Sequence, residues 1–496
     1  MRALLLCMLP CAAVADPTFK RRALPVEHVY TGGWEHFVGG GVAVFDCNSD
    51  GFADMYMAGG ESPARLFVNK TNELGGEVRF SSGKVAELTG VTGAYPLDMD
   101  ADGLLDLMIL RVGPNRILKG SPDCTFTDVT ERWGFETSDR WSTAFSATWE
   151  DGRSWPTLAI GNYVDRSDPD GPFEACDVNA LYRHDGETYL RQDLSPGFCA
   201  LSMLFSDWNR DGTQDLRVSN DRHYYVSGGA EQMWDMPDLR LLDGEGWEPI
   251  SIWGMGIASQ DLTGDGRPEV VLTSMGDQLM QIAGPQGYSA APFDIGSYAH
   301  RPYTGGDGRP STGWHAEFGD VDNDGLADLF IAKGNVDQMP GMATKDPNNL
   351  LMQGTGGRFT EHGDRAGLAT FHRSRGASLA DFNRDGLLDI IVVNRRAEAE
   401  LYENMTQDAG TWLSVSLSQD GPNRQAVGSW VEVEADGKKQ TQEVTVGGGH
   451  VSGKAVPLHF GLGTAGSARL RVIWPDGSPG DWQRVDARGE VRVVKP

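Results

Sequence analysis

A short acidic loop recurs six times along the chain, and each copy is followed by an apolar run with strand character. The pattern is D-x-[DNT]-x-D-G-x-x-[DE], and its copies span residues 46–54, 98–106, 207–215, 261–269, 320–328 and 381–389. Oxygen ligands at alternate positions around a glycine form a shape that holds a hard cation such as Ca²⁺. Recurrence of one unit also predicts a repeat architecture. The motif therefore constrains both the fold and the chemistry.

Each loop offers side-chain oxygens at positions 1, 3, 5 and 9 and a backbone carbonyl at position 7, while the glycine at position 6 permits the sharp turn. We therefore predict up to six Ca²⁺ sites. Mg²⁺ fits less well, because it prefers near-octahedral geometry and dehydrates reluctantly. The predicted metal ligands are Asp46, Asn48, Asp50, Asp54, Asp98, Asp100, Asp102, Asp106, Asp207, Asn209, Asp211, Asp215, Asp261, Thr263, Asp265, Glu269, Asp320, Asp322, Asp324, Asp328, Asp381, Asn383, Asp385 and Asp389.

An EF-hand is the main alternative for such a loop, and it requires Glu at position 12 and flanking helices. Position 12 is apolar in every copy, as at Met57, Ile109 and Ile331, and lies within a β-rich run. A plain Asp-Gly turn could explain one copy but not six with filled alternate positions. We expect these sites to stabilise the fold rather than to catalyse, because a cation saturated by protein ligands has no open position for a substrate and binds only the folded state.

The spacing of the loops predicts the number of repeats. Their first residues are separated by 52, 109, 54, 59 and 61 positions, and the gap of 109 predicts a degenerate copy near Asp151-Gly152. Each repeat reads as four short strands, the pattern of a β-propeller blade. We predict an all-β chain with a seven-bladed propeller over residues 16–408. Because the last repeat ends after Asn404, the strand beginning at Phe19 should complete the seventh blade and remove exposed edges.

Residues 409–496 contain no acidic loop. They show short apolar runs separated by strong turn signals, such as Asp436-Gly437 and Pro475-Asp476-Gly477. This region is predicted to form a small β-sandwich.

Residues 1–15 resemble a secretory signal peptide, with Arg2 before an apolar run and small residues before Asp16. No other stretch is long and apolar enough to span a membrane. We therefore expect an exported protein, either periplasmic or extracellular. The 496 residues carry a net charge of −27, which disfavours nucleic acid and anionic membrane surfaces as partners.

Removal of the signal leaves Cys47, Cys124, Cys176 and Cys199, an even number that suggests disulfides in an exported chain. The pair Cys176–Cys199 is favoured because the two residues flank one two-strand segment. The other pairings and free thiols stay open.

The loops resemble the FG-GAP/VCBS repeats of integrin α-subunit propellers. The resemblance includes the Phe-Ala-Asp, Leu-Leu-Asp and Leu-Ala-Asp that follow the loop glycines. Toward the C-terminus, the runs at 423–429, 443–449, 458–463 and 472–477 look like an ASPIC/UnbV domain. The combination resembles the cartilage-acidic-protein-like family. That resemblance implies an extracellular or surface role in binding and adhesion, and it implies no established reaction.

A ligand site in a propeller would lie at the rim of its channel. The residues just before the first strand of each repeat should point there, namely His36, Arg140, Trp141, Trp314, His315, His372, Arg373 and Arg375. Three histidines could bind a transition metal or act as acid–base groups, and the weak catalytic candidates are His36, His315, His372 and Arg375. Hydrogen-bonded structural residues are the alternative, and the same holds for His459 in the C-terminal region.

The sequence favours a calcium-binding module for a protein or glycan ligand, of undetermined oligomeric state. Two alternatives stay open, a polysaccharide-acting lyase or hydrolase with its site on the rim and a periplasmic scaffold for envelope assembly.

Overall fold

The computed structural model describes residues 15–495 except 137, 170–174, 222–227, 245, 299–307 and 338. The predicted signal peptide lies outside the described residues apart from Ala15. No helix in the described part is long and apolar enough to cross a membrane.

The all-β prediction is confirmed, because the body of the chain is a series of seven small antiparallel sheets. The first strand of the chain, β1 (Phe19–Arg22), belongs to the last of these sheets. The other strands of the seven sheets, in chain order, are β2 (Val42–Phe45), β3 (Asp54–Met57), β4 (Arg65–Asn69), β5 (Phe80–Ser82); β6 (Val91–Leu97), β7 (Asp106–Arg111), β8 (Arg116–Gly120), β9 (Phe126–Asp128); β10 (Ser142–Thr148), β11 (Thr157–Asn162), β12 (Asn179–His184), β13 (Tyr189–Leu194); β14 (Ala200–Ser206), β15 (Asp215–Asn220), β16 (Gln232–Asp235), β17 (Arg240–Leu241); β18 (Gly254–Gln260), β19 (Glu269–Ser274), β20 (Leu279–Gly284), β21 (Gly287–Ala290); β22 (Gly313–Gly319), β23 (Asp328–Lys333), β24 (Asn349–Gln353), β25 (Phe359–Glu361); β26 (Arg373–Ala380), β27 (Asp389–Arg395) and β28 (Glu400–Asn404).

Helix is confined, within the described residues, to one short α-helix, α1 (Gly363–Ala366), and to two 3₁₀ turns at Trp34–His36 and Phe293–Ile295. All three lie in connections between sheets.

Burial falls from the first strand of a sheet to its fourth. Strands β6 and β10 are buried along their whole length, whereas β13 is buried only at its two ends, Tyr189 and Leu194. A strand that is covered on both faces reads as a continuous run of apolar and small residues instead of an alternating one. The glycine- and alanine-rich first strands of the repeats are therefore the innermost strands of the body.

The first strands of successive sheets contact one another in a cyclic order: β2 with β6, then β10, β14, β18, β22, β26 and again β2. As predicted, the strand that begins at Phe19 completes the last sheet: β1 pairs antiparallel with β28, with Phe19 opposite Asn404. The two ends of the repeat region thus meet in one sheet. The seven first strands surround a central space.

The C-terminal region forms two further sheets around one apolar core that includes Leu413, Val431, Phe460 and Leu470. The strands of the C-terminal region are β29 (Thr411–Ser418), β30 (Trp430–Ala435), β31 (Lys438–Glu443), β32 (Gly453–Ala455), β33 (Leu458–Gly463), β34 (Ser467–Ile473), β35 (Gln483–Asp486) and β36 (Gly489–Val494). One sheet of this C-terminal module has the order β33-β29-β36 and the other β31-β30-β34-β35, and β32 belongs to neither.

Residues 446–455, here called the inserted segment, leave the C-terminal module and enter the central space. Strand β32 at the end of this segment pairs parallel to β2 as a fifth strand of the first sheet, with Gly453 opposite Ala43. Single β-bridges join the rest of the segment to four other first strands: Val446 to Ala147, Gly447 to Leu204, Gly449 to Ile257 and Ser452 to Ala94. The sequence did not reveal this insertion.

Two glycines, one directly before β2 and one within β6, face the inserted segment. A Cβ atom on Gly41 would lie 1.8 Å from the carbonyl oxygen of Val451, and one on Gly93 would lie 2.3 Å from the same atom. The small residues of the first strands therefore make room for the segment that occupies the central space.

Two disulfides staple the body. Cys176 pairs with Cys199, the favoured pair, and Cys47 pairs with Cys124, with Cα–Cα distances of 4.8 and 5.0 Å. Both pairs are consistent with an exported protein.

Candidate metal loops and the central space

The six acidic loops share one backbone conformation. The residue at position 4 has a positive φ in every loop: 59° at Ser49, 58° at Ala101, 63° at Arg210, 77° at Gly264, 60° at Asn323 and 59° at Arg384. The glycine at position 6 also has a positive φ, from 85° at Gly325 to 93° at Gly212. Left-handed backbone is unfavourable for most residues, so the shared pattern indicates a common built geometry instead of six unrelated turns.

Backbone N–H groups orient the carboxylates of each loop. In the loop at Asp320, the Asp320 carboxylate accepts hydrogen bonds from the N–H groups of Asp324 (3.1 Å) and Gly325 (2.7 Å). Asp324 accepts one from the N–H of Leu326 at 2.8 Å. The bond from the position 7 N–H to the position 5 carboxylate recurs in all six loops at 2.8–2.9 Å. These side chains are therefore held in place before any ligand binds.

The carboxylate at position 9 ties the loop to the third strand of its sheet. Asp328 accepts from the N–H of Val321 at 3.0 Å and from that of Gln353 at 2.9 Å. Asp54, Asp106, Glu269 and Asp389 make the equivalent pairs of bonds. In Asp215 the first bond comes from the indole of Trp208. Position 9 thus has a structural role in every loop, whether or not it also binds a cation.

The residues of two loops fit a cation well. Single oxygens of Asp98, Asp100 and Asp106 lie within 4.8 Å of one another, as do those of Asp320, Asp322 and Asp328.

Three loop carboxylates also carry a buried oxygen with no hydrogen-bond partner: Asp100 Oδ1, Asp207 Oδ1 and Asp322 Oδ2. An unpartnered buried polar atom is costly. Convergent carboxylate oxygens are the ligand set that Ca²⁺ prefers.

A third group, Cys47, Asp54 and Cys124, is also compact. Its two sulfurs form the disulfide, so it does not provide thiolate ligands.

Burial makes the loops electrostatically unfavourable when no cation balances them. It raises the pKa of Asp322 to about 6 and that of Asp381 to about 7, and like-charged neighbours add to both shifts. Burial likewise raises the pKa of Asp98 to about 6. A bound divalent cation would reverse this effect by favouring the charged carboxylates.

Basic side chains meet the acidic groups in two of the repeats. Lys119 contacts Asp100 and places its Nζ 2.5 Å from Asp102 Oδ2. In the degenerate repeat, one edge of the Arg183 guanidinium donates to both carboxylate oxygens of Glu150, from Nε at 2.7 Å and from Nη2 at 3.0 Å. An arginine of the same sheet therefore balances the charge of Glu150.

Substitution of Asp322 by Asn should change stability in opposite directions with and without Ca²⁺. In EDTA, Asp322→Asn removes a buried negative charge, so the melting temperature should stay the same or rise. In Ca²⁺ it removes a ligand, so the melting temperature should fall by several degrees. Thermal melting of both proteins in both buffers checks this, and a fall of equal size in the two buffers would show that Asp322 does not bind a cation.

The rim residues predicted from the sequence do not form one cluster. None of the compact His, Cys, Asp and Glu groups within the described residues includes His36, His315 or His372. His36 is buried, and its ring nitrogens have no partner. His372 is partly exposed, with Nε2 3.7 Å from Glu400 Oε1.

His315 and Arg375 are buried and engaged. The Nδ1 atom of His315 accepts a hydrogen bond from the N–H of His450 at 3.1 Å, so this rim residue holds the inserted segment. Its Nε2 atom lies 3.2 Å from Glu317, and both residues line a cavity of about 130 Å³ between the seven-sheet body and the module.

Arg375 donates to the carbonyls of Phe37, Ser374, Asn335 and Val336. Its guanidinium also stacks 4.0 Å from the ring of Trp314. These contacts fit structural roles.

The other predicted rim residues lie around the same end of the central space. Trp141 and Trp314 are buried in an apolar cluster with Val38, Leu201 and Met255. Arg140 pairs with Asp177 at 2.6 Å, and Arg373 lies 3.9 Å from Asp337. His459 of the module also has a defined partner, since its Nε2 lies 2.6 Å from Asn323 Oδ1 in an acidic loop.

Comparisons with protein families match two regions of the chain. Residues 320–392 match the FG-GAP-like repeat, and residues 419–496 match ASPIC and UnbV. The resemblance drawn from the sequence is confirmed for both, and the two matches indicate a β-propeller-type module. No curated protein matches the chain.

Solved structures with a similar arrangement include BBS1N in complex with ARL6DN, with 8% identity, a TM-score of 0.46, and coverage of 77% of this chain and 96% of that one. An Agrocybe aegerita lectin, described with the recognition of non-reducing terminal N-acetylglucosamine, shares 12% identity at a TM-score of 0.37, over 72% and 86% of the two chains. A Trichoderma reesei carbohydrate-active enzyme of family AA12 shares 10% identity at a TM-score of 0.37, over 81% and 100%.

Proposed function

We propose that this chain is an exported, calcium-stabilised seven-bladed β-propeller with a C-terminal ASPIC/UnbV-like sandwich, and that it acts as a binding module for a protein or glycan. The cyclic contacts of the first strands and the closure of the last sheet by β1 support seven blades. The common loop geometry and the unpartnered carboxylate oxygens support up to six Ca²⁺ ions. The disulfides support export.

The observation that carries a binding role is the composition of the face opposite the C-terminal module, here called the far face. It is built from the connections that precede each first strand and from those that join second and third strands. Trp34, Trp141 and Tyr163 lie here in edge-to-face contact, with ring centroids 5.1 and 4.9 Å apart. Met339 and Met342 pack against the same cluster.

Among the described residues, two large aromatic side chains of the far face are well exposed to solvent. Trp253 is 37% exposed and Phe371 is 44% exposed, and each precedes a first strand. Arg373, two residues after Phe371, shares Asp337 as an ionic partner with Arg396. Aromatic residues, methionine and arginine are enriched in recognition surfaces and carry most of their binding energy.

The contacts in the central space favour a binding role over catalysis, because predicted catalytic candidates make structural contacts there. His315 holds the inserted segment and Arg375 holds four carbonyls. We therefore propose recognition on the far face in preference to lyase or hydrolase chemistry at a channel mouth.

An array of glycans and extracellular proteins, probed with the labelled protein in Ca²⁺, tests this role. The double variant Trp253→Ala/Phe371→Ala should weaken binding about 30-fold or more, the effect expected when a hot spot is lost. Leu74→Ala is the matched control, since Leu74 is 66% exposed in the turn between β4 and β5 on the opposite side. Equal binding by the double variant and the control would refute recognition on the far face.

A further inference from the structure

The side of the seven-sheet body that carries the acidic loops is the side that the C-terminal module covers. Among the described residues, four loops form hydrogen bonds or ion pairs with the module, and a fifth, at Asp261, lies against it, since a Cβ atom on Gly264 would be 3.2 Å from the carbonyl oxygen of Lys439. The N–H of Asp98 donates to Gln425 at 2.9 Å, and that of Asp207 donates to Glu443 at 3.0 Å. Arg384 pairs with Glu490 at 2.7 Å. The fourth is the loop at Asp320. The loop at Asp46 has no hydrogen bond to the module among the described residues.

The loop at Asp320 contacts the module through both its backbone and its side chains. The N–H of Gly463 donates to the carbonyl of Asn323 at 2.8 Å, and the N–H of Gly410 donates to that of Asp322 at 2.9 Å. Gly461 lies against the Asp320 carboxylate so closely that a Cβ atom would be 1.9 Å from Oδ2. These contacts require the loop backbone to keep the conformation that a bound cation would fix.

The residues on either side of the inserted segment form hydrogen bonds with two of these loops. Just before it, Glu443 contacts the loop at Asp207 through the Asp207 N–H, the Ser206 hydroxyl (2.6 Å) and the Gln214 amide (2.9 Å). Just after it, β33 carries His459 and Gly463, which hold the loop at Asp320. Both ends of the segment are therefore anchored on predicted cation sites.

A second observation points to a cation in both anchoring loops. Asp322 is 1% exposed and Asp207 is 7% exposed, and each has a buried carboxylate oxygen without a partner. Asp322 Oδ2 belongs to the side chain that converges with Asp320 and Asp328. Without a cation, the carboxylates of the loop at Asp320 keep like charges close together at the surface on which the module docks, whereas Asp207 faces the Arg210 guanidinium of its own loop.

We propose that cation occupancy of the loops at Asp207 and Asp320 latches the inserted segment into the central space, and that loss of the cations releases the segment while the outer strands of the sheets stay folded. The proposal rests on the calcium sites of the proposed function. Coupling of this kind is reciprocal: the docked segment raises the affinity of these two loops for Ca²⁺ by the factor by which Ca²⁺ favours docking. The module then works as a calcium-dependent closure of the ring.

Hydrogen–deuterium exchange of the full chain tests the latch. The N–H of Gly448 donates to the carbonyl of Met203 at 2.7 Å and that of Gly449 to Ile257 at 2.6 Å, so both amides report docking. In chelator they should exchange about 100-fold faster than in Ca²⁺. Strand β11, in the sheet without an acidic loop, serves as the internal reference and should stay protected. Unchanged protection of Gly448 and Gly449 after Ca²⁺ has left would overturn the latch.

A matched pair of variants separates the latch from general stabilisation by Ca²⁺. Asp324 and Asp50 occupy the same loop position and accept the same N–H bond, at 2.8 and 2.9 Å. In Ca²⁺, Asp324→Asn should speed exchange at Gly448 and Gly449, whereas Asp50→Asn should not, although each removes one bound ion. Equal effects of the two variants would contradict the latch.

A change in the module supplies the reciprocal test. His459→Leu removes the contact with Asn323 without altering a predicted ligand, and it should weaken one Ca²⁺ site about 5- to 150-fold in a calorimetric titration. Unchanged affinity would overturn the coupling. If the unaltered protein binds no Ca²⁺ at all, the proposed function fails together with the latch; if it binds Ca²⁺ and docking is unaffected, only the latch fails.

Discussion

Chelation of Ca²⁺ should lower the melting temperature of this protein by about 10 °C or more. A ligand that binds only the folded state stabilises it by about 2.7 kcal/mol per site at a concentration one hundred times its Kd. Several occupied loops therefore add many kcal/mol to the free energy of unfolding. The melting temperature of a chain of this size changes by only a few degrees or less for each kcal/mol, so the sum of several sites is needed for a shift of this size. Differential scanning calorimetry in Ca²⁺ and in EDTA measures the shift.

Two controls make this result specific. Mg²⁺ at the same concentration should restore only a small part of the stability, because it is reluctant to give up its water ligands. A change at the degenerate repeat, Glu150→Gln, should leave the calcium-dependent shift intact, since Glu150 is paired with Arg183. Equal melting temperatures in Ca²⁺ and EDTA would show that the acidic loops do not stabilise the protein by binding Ca²⁺.

Replacement of Gly41 and Gly93 by alanine should destabilise the protein by about 3 kcal/mol or more, as forced overpacking does. Neither glycine has a positive φ, so alanine brings no backbone strain, and the effect comes from the contact with Val451. Because that contact is with a backbone carbonyl oxygen, rotation of a side chain cannot relieve it. Urea denaturation of the double variant measures the loss.

Gly466→Ala is the matched control. Gly466 is exposed, and no atom lies within 4 Å of the position of its Cβ, so the free energy of unfolding should change by less than about 0.5 kcal/mol. If the central space were open in solution, the alanines at 41 and 93 would be tolerated as well as this one. A double variant as stable as Gly466→Ala would therefore contradict the placement of the inserted segment in the central space.

Local sequence patterns predicted the repeat region well, because its structure repeats local rules. The alternating oxygens around Gly325 and its equivalents set the loops, and the runs that follow set the second strands. The missing fourth strand after Asn404 predicted the pairing with Phe19. Each of these inferences depends on residues a few positions apart or on counting repeats.

The inserted segment could not be predicted in this way. Gly447, Gly448 and Gly449 show no periodicity of helix or strand, and their partners, such as Met203 and Ile257, lie about two hundred residues earlier in the chain. The glycines at 41 and 93 do not identify what fills the central space. His315 was predicted to lie at the rim of the channel, and its partner is the backbone of His450.

The basic partners of the acidic side chains could not be predicted from the sequence either. Arg183 pairs with Glu150, and Lys119 pairs with Asp100 and Asp102, because a third strand brings each basic residue back to the loop of its own repeat. The strand register that places these side chains is a product of the folded sheet.

Anomalous diffraction from a crystal grown in Ca²⁺ would show both the bound cations and the inserted segment in one map. We expect anomalous peaks within the acidic loops, no peak beside Glu150, and residues 446–455 lying between the seven first strands. Acidic loops that are ordered but without peaks, together with a solvent-filled central space, would contradict this expectation.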